Sequence, residues 1–238
     1  MYSSLRFLLL IAITLTVSVT GHADQQKPRR LVARPPVWDL GFLPQKSEIS
    51  RRYYLVNIGT TPVTIDKIKA GCSCTSVSSI DQPIPPGDSA ALDVLFKSGR
   101  YHHRVKKTTR VYTENSGAVF LPLTIKTWVV KKGEVSGHIK VEPQKVEWTS
   151  EQIAAGLTDT VQLLNRGGDP LTPGVLFRPD GIIKDIICPP AIPSGQPADL
   201  ILKTTPSTVS ENLTGMSISL RFTGSDTTIV TIPITIKK

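Results

Sequence analysis

The sequence predicts an all-β protein made of two tandem immunoglobulin-like β-sandwich domains, and three observations carry that expectation. The 238 residues include 22 Ile, 20 Val and 25 Thr, and β-branched side chains fit a pleated strand better than a helix. The 17 Gly and 19 Pro are spread along the chain, as frequent turns require. The chain also repeats itself. Asn57, Gly59, Pro62 and Thr64 recur as Asn165, Gly167, Pro170 and Thr172, and Ile84, Pro85 and Gly87 as Ile192, Pro193 and Gly195, all at an offset of 108. Residues 121–126 then recur as 232–237 at an offset of 111. A period this long marks a domain duplication, not a solenoid. The polar stretch containing Gly133 and Gly137 supplies the boundary, so the domains are expected at 31–131 and 138–238 with a linker at 132–137.

Residues 1–23 read as a signal peptide. Arg6 precedes an apolar run over 7–19, and Gly21 and Ala23 place small residues where a signal peptidase reads. Cleavage after Ala23 would leave Asp24 first, without the cysteine that a lipid anchor needs. No later apolar run approaches the roughly 20 residues of a membrane span. A basic N-terminal arm follows at 24–30, with Lys27, Arg29 and Arg30, and Arg34 stands just beyond it. The expectation is a soluble mature chain in the periplasm, or secreted.

Within the first domain, residues 52–57 and 63–68 alternate in polarity on either side of a turn signal from Gly59 to Pro62, and are expected as adjacent strands. Pro85, Pro86, Gly87 and Asp88 make a turn, because Pro fixes φ and Gly permits φ > 0, and this turn opens a strand over 91–96. Residues 110–113 and 119–125 flank a polar tip at 114–117 and read as a hairpin. Trp38, Leu55, Val94, Phe96, Val111, Leu123 and Ile125 are expected in the first core. The one helical candidate is 150–155, with Ser150 as its cap and length for one or two turns.

A family resemblance rests on Trp38-Asp39-Leu40-Gly41, Asn57, Gly59, Pro62, Gly71-Cys72-Ser73-Cys74-Thr75, Ile84-Pro85-Pro86-Gly87-Asp88-Ser89, Gly99-Arg100 and Thr113-Glu114-Asn115. In this order they resemble the bacterial family called domain of unknown function 1573. That family is similar to the ASH, Hydin and major-sperm-protein branch of immunoglobulin-like folds. The resemblance covers about residues 37–128, and the second domain lacks the Cys-x-Cys. It implies exported proteins with interaction or scaffolding roles and brings no reaction with it.

Cys72 and Cys74 admit three readings. On a regular strand their Cα atoms would lie about 6–7 Å apart, near the upper limit for a disulfide, so a bridge across one residue requires a bend. An oxidising compartment favours such a bridge, either as a structural element or, if exposed, as a labile redox pair. Alternatively, paired thiolates with His102 and His103 could hold copper or zinc. Both residues could also serve as small core side chains. Cys188 is the odd thiol, before Pro189 and Pro190.

Charge is the other feature. The formal net charge is +9, and Lys97, Arg100, Arg104, Lys106, Lys107 and Arg110 fall in one segment without an acidic residue. On two strands joined near residues 99–103 they would form one positive edge or face. Such a row suits either protection of an edge strand or an anionic partner, whether an envelope protein or an anionic envelope surface. Nucleic acid is not expected, because no aromatic stacking positions interleave the basic ones. No Gly-x-Ser-x-Gly elbow, His-Glu-x-x-His or phosphate loop is present. The sequence therefore points to a non-catalytic binding or scaffold protein of the cell envelope, with no cofactor beyond a possible copper or zinc ion. The alternatives are a periplasmic pilus-type assembly chaperone, which adds a strand to its client, and a thiol redox or metal-binding protein using Cys72 and Cys74.

Overall fold

The computed structural model describes residues 30–114, 117 and 119–238. The signal peptide and all but Arg30 of the basic arm lie outside the described residues. Of the described residues, 59% are in strands and 3% in helix, so the all-β expectation holds. The first half of the chain forms β1 (Leu31–Arg34), β2 (Val37–Pro44), β3 (Glu48–Asn57), β4 (Ile65–Lys69), β5 (Thr75–Val77), β6 (Ser89–Lys97), β7 (His103–Thr113) and β8 (Leu121–Val130). The second half forms β9 (Ile139–Glu142), β10 (Val146–Thr149), the short helix α1 (Ser150–Ala155), β11 (Thr158–Asn165), β12 (Thr172–Phe177), β13 (Ile183–Ile187), β14 (Pro197–Thr204), β15 (Leu213–Thr223) and β16 (Thr227–Lys237).

These strands pair into two four-stranded sheets, β1-β3-β6-β5 and β13-β14-β11-β9, and one larger sheet in the order β12-β15-β16-β2-β8-β7-β4 with β10 beside β16. Each small sheet lies over one half of the large one and encloses an apolar core. One core draws on residues 31–129, including Leu55, Val94, Phe96, Val111, Leu123 and Ile125, with Trp38 only partly buried against it. The other draws on residues 139–236. Both follow from period-two burial: β8 alternates Leu123, Ile125, Thr127 and Val129 inward with Lys126 and Trp128 outward.

The internal repeat is repeated hydrogen bonding as well as repeated sequence. The Asn57 amide donates to the carbonyls of Thr61 and Ile84 at 2.9 and 2.8 Å, while its Oδ1 accepts from Gly59 N–H at 2.9 Å. The Asn165 amide donates to the carbonyls of Asp169 and Ile192 at 2.8 and 2.9 Å, and its Oδ1 accepts from Gly167 N–H at 2.8 Å. Both asparagines are fully buried, and the bridges Val63↔Ile84 and Leu171↔Ile192 follow them. Cis bonds before Pro35 and Pro143 obey the same offset.

Two local expectations are corrected. Residues 52–57 and 63–68 do not pair with one another: β3 lies between β1 and β6, whereas β4 pairs with β7 in the large sheet. The Asn57 hydrogen bonds curl the chain out of the first sheet and carry it across the core. The cap of α1 is Thr149, one residue before the expected Ser150. Its hydroxyl accepts from Gln152 N–H, and the Gln152 side chain accepts from Thr149 N–H.

The two halves meet at β2. It pairs in parallel with β8 along most of its length and with β16 at Phe42↔Val230. Thr127 donates to the Gly41 carbonyl at 2.8 Å, and Thr231 to the Leu40 carbonyl at 2.7 Å. Gly41 has φ +58°, and a Cβ there would collide with the backbone carbonyl of Ile229, so glycine alone permits this approach.

Candidate functional site

The predicted basic segment does not form a single face. Lys97 sits on β6 in the small sheet, paired with Glu48 at 2.7 Å. Arg100 lies in the turn before β7, where Gln45 holds the Arg100 and Tyr101 carbonyls at 3.2 and 2.8 Å. Lys107 falls on the inward parity of β7 and lies over the Tyr101 ring, its Nζ 4.5 Å from the centroid. Arg104, Lys106 and Arg110 remain together, all exposed on the outward side of β7. The reason is the two-residue period of the strand, which sends consecutive residues to opposite faces.

The register then supplies neighbours that the sequence did not single out. Arg104 stands opposite Trp128, Lys106 opposite Lys126, and Arg110 opposite Pro122 on one side and Lys69 on the other. Lys67 pairs with Tyr112, and the Lys67 and Lys69 ammonium groups lie 5.2 and 5.8 Å from the Tyr112 ring centre. Arg110 lies 5.1 Å from the Phe120 ring. The outward face of β4, β7 and β8 is thus a basic surface laid on aromatic rings. Asp39 partly balances it, pairing with Lys126 at 3.0 Å, and Asp66 pairs with Lys67 at 3.2 Å. Arg104, Lys106 and Arg110 have no ion-pair partner among the described residues. Like charges set directly opposite each other, as at Lys106 and Lys126, disfavour the sheet unless something anionic lies between them.

Cys72 and Cys74 are joined in a disulfide with Cα atoms 5.1 Å apart. The required bend is a turn in which Thr75 N–H reaches the Cys72 carbonyl at 3.2 Å, after which Lys97 N–H takes the Cys74 carbonyl at 2.8 Å. Gly71 enters the turn pressed against the Thr108 carbonyl, where a Cβ would not fit. The Thr75 hydroxyl lies 3.4 Å from Cys72 Sγ and 3.9 Å from Cys74 Sγ, and the Tyr101 O–H donates to Cys74 Sγ at 3.6 Å.

The four residues considered for a metal are not brought together: among the described residues no group of three His, Cys, Asp or Glu converges on one point. His102 Nε2 instead meets Glu134 at 3.2 Å and stacks on His103 with ring centres 3.7 Å apart. The Lys131 backbone N–H, with His102, holds the Glu134 carboxyl below the usual carboxylate range. This fastens the segment between the two halves to the start of β7. Cys188 is a free, half-buried thiol, pushed up by burial, as suits a packing residue.

Arg51 had no signal in the sequence beyond its place in an alternating strand. It occupies an inward position of β3 and is fully buried against the second half of the chain. Its guanidinium donates to Ser217 and Ser219 at 2.8 and 2.9 Å and to the Ser50 carbonyl at 2.9 Å, with Phe177 3.8 Å below. No carboxylate pairs with it among the described residues, Nε has no partner, and burial pulls its pKa down to about 9.

Residues 33–129 match the family described as "Protein of unknown function (DUF1573)". No curated protein matches the chain. Among solved structures, a protein of unknown function from Porphyromonas gingivalis W83 is similar over 88% of this chain and 100% of its own, at 9% identity and a TM-score of 0.36. The ASH/PapD-like domain 7 of human CEP192 aligns with 55% of this chain and 98% of its own, at 10% identity and a TM-score of 0.34. The YadV chaperone aligns with 86% of this chain and 100% of its own, at 11% identity and a TM-score of 0.31.

Proposed function

We propose, for a chain whose first half matches a family without an assigned activity, that this is an exported, periplasmic, non-catalytic binding or scaffold protein of the cell envelope. It takes an anionic partner on the outward face of β4, β7 and β8. The observation that carries this reading is the cluster of Arg104, Lys106 and Arg110 on one face, exposed and opposite Lys126 and Lys69. Aromatic rings beneath the cations favour a broad, adaptable contact over a single pocket. Export is supported by the apolar leader and its small residues at positions 21 and 23.

The test compares wild type with Arg104→Gln/Lys106→Gln/Arg110→Gln. Retention on vesicles containing anionic phospholipid, and retention of acidic proteins from an envelope extract, should fall at least tenfold in the triple variant. Binding by wild type should weaken steeply with salt, because exposed charges are screened within about 8 Å at physiological ionic strength. The melting temperature should stay within a degree or two, as expected of exposed residues away from the core. Equal retention by both proteins would leave these cations as a solvated face and end the proposal.

A further inference from the structure

The Cys72–Cys74 bridge plays no part in the anionic face, and its surroundings hold more than a structural crosslink requires. We infer that it is a thiol–disulfide exchange site that accepts two electrons from a dithiol, with Cys72 the sulfur attacked and Cys74 the leaving thiolate. Three observations assign the roles. Both cysteines are partly exposed, but Cys74 packs against the first core whereas Cys72 does not, so an incoming thiolate meets Cys72 first. A hydrogen-bond donor distinguishes the other sulfur: the Tyr101 phenol donates to Cys74 Sγ at 3.6 Å, whereas the Thr75 hydroxyl lies between the two, 3.4 Å from Cys72 Sγ and 3.9 Å from Cys74 Sγ. The third is the Lys107 ammonium, 4.5 Å from the centre of the Tyr101 ring. It is placed there by a strand position that would otherwise carry an apolar side chain. A cation over the ring draws electron density from the phenol and makes its O–H a better donor.

The step balances as follows. A thiolate of the dithiol attacks Cys72 Sγ, a new sulfur–sulfur bond forms to Cys72, and the Cys72–Cys74 bond breaks with its electron pair on Cys74. The Tyr101 hydroxyl donates to that thiolate as its charge develops, and a donor to a forming thiolate speeds its departure. The second thiol of the reductant, as thiolate, then attacks its own sulfur in the mixed disulfide and releases Cys72. The reductant leaves as a disulfide, its two protons end on Cys72 and Cys74, and two electrons have passed to this protein. The position of the bridge in the turn before β5, beside the turn before β7, leaves the Cys72 side open to a protein dithiol. The site is independent of the anionic partner proposed above, since Tyr101, Thr75 and both sulfurs lie off that face.

The test uses the full mature chain under native conditions. Reduction by dithiothreitol is followed by thiol trapping and intact mass, and in a parallel reaction the protein is incubated with glutathione, quenched, and the mixed disulfide located by peptide mapping. Wild type should be reduced without denaturant, with glutathione on Cys72. Tyr101→Phe removes the donor to the leaving sulfur and should slow reduction about tenfold, as loss of one hydrogen bond to a charged group implies. Lys107→Gln should slow it by a smaller factor, and both variants should keep the wild-type melting temperature. A bond that resists dithiothreitol until the protein unfolds would overturn the inference. So would an adduct on Cys74, or Tyr101→Phe and Lys107→Gln reacting at the wild-type rate. None of these outcomes bears on vesicle or acidic-protein binding, so the two proposals fail separately.

Discussion

Asn57 and Asn165 show how a single side chain can direct a sandwich. Each is fully buried and ties two backbone carbonyls and one backbone N–H together through its own amide, and losing a buried hydrogen-bonding group costs more than the bond's net contribution suggests. Replacing either by Ala should therefore destabilise the protein by about 1–3 kcal/mol, read from the midpoint of chemical denaturation. An unchanged midpoint would mean that water takes over the carbonyls at no cost. Arg51 presents the opposite case. Its guanidinium is buried among hydroxyls and rings without a counter-ion among the described residues, so it is not a stability device of the usual paired kind. The asparagines were visible in the sequence as a repeat, whereas Arg51 was not, because nothing in a strand's own residues says what will cover its inner face.

At the scale of elements, β7 and β2 matter most. β7 carries four of the six cations of the basic segment and separates them into an outward set, Arg104, Lys106 and Arg110, and an inward Lys107 that serves Tyr101. Parity along one strand is readable from sequence, but the partners Lys126, Lys69 and Trp128 come only from register. β2 joins the halves, and its approach to β16 depends on Gly41. A Gly41→Ala substitution meets the Ile229 carbonyl and a φ that L-residues rarely adopt. It should cost at least about 1–2 kcal/mol and expose the β2–β16 seam to protease ahead of either core. If the variant melts and is cleaved like wild type, β2 can reach β16 by another route and the seam is less constrained than its geometry indicates.

For the whole molecule, the large sheet changes what two domains means. The chain has two cores, yet Arg51 from the first half is bonded to Ser217 and Ser219 of the second, and the sheet runs unbroken from β12 to β4. The halves should therefore unfold together. Calorimetry should give one transition whose van't Hoff and calorimetric enthalpies agree, and limited proteolysis in the 132–137 segment should be slow. Two separate transitions would show the junction to be weaker than either core.

Strand content, the duplication and the two cores were settled by the sequence, because alternation of apolar side chains, turn chemistry at Gly and Pro, and a repeated motif are local properties. The grouping of the cations along the chain was also legible there, though not which of them would share a face. Which strands pair, which cations share a face, what lies over Arg51 and which hydroxyls surround Cys74 were decided by tertiary structure alone. The physical reason is that strand pairing is a contact between segments far apart in the chain. Its register is fixed by packing across the core, and a side chain's partners exist only once that packing has formed.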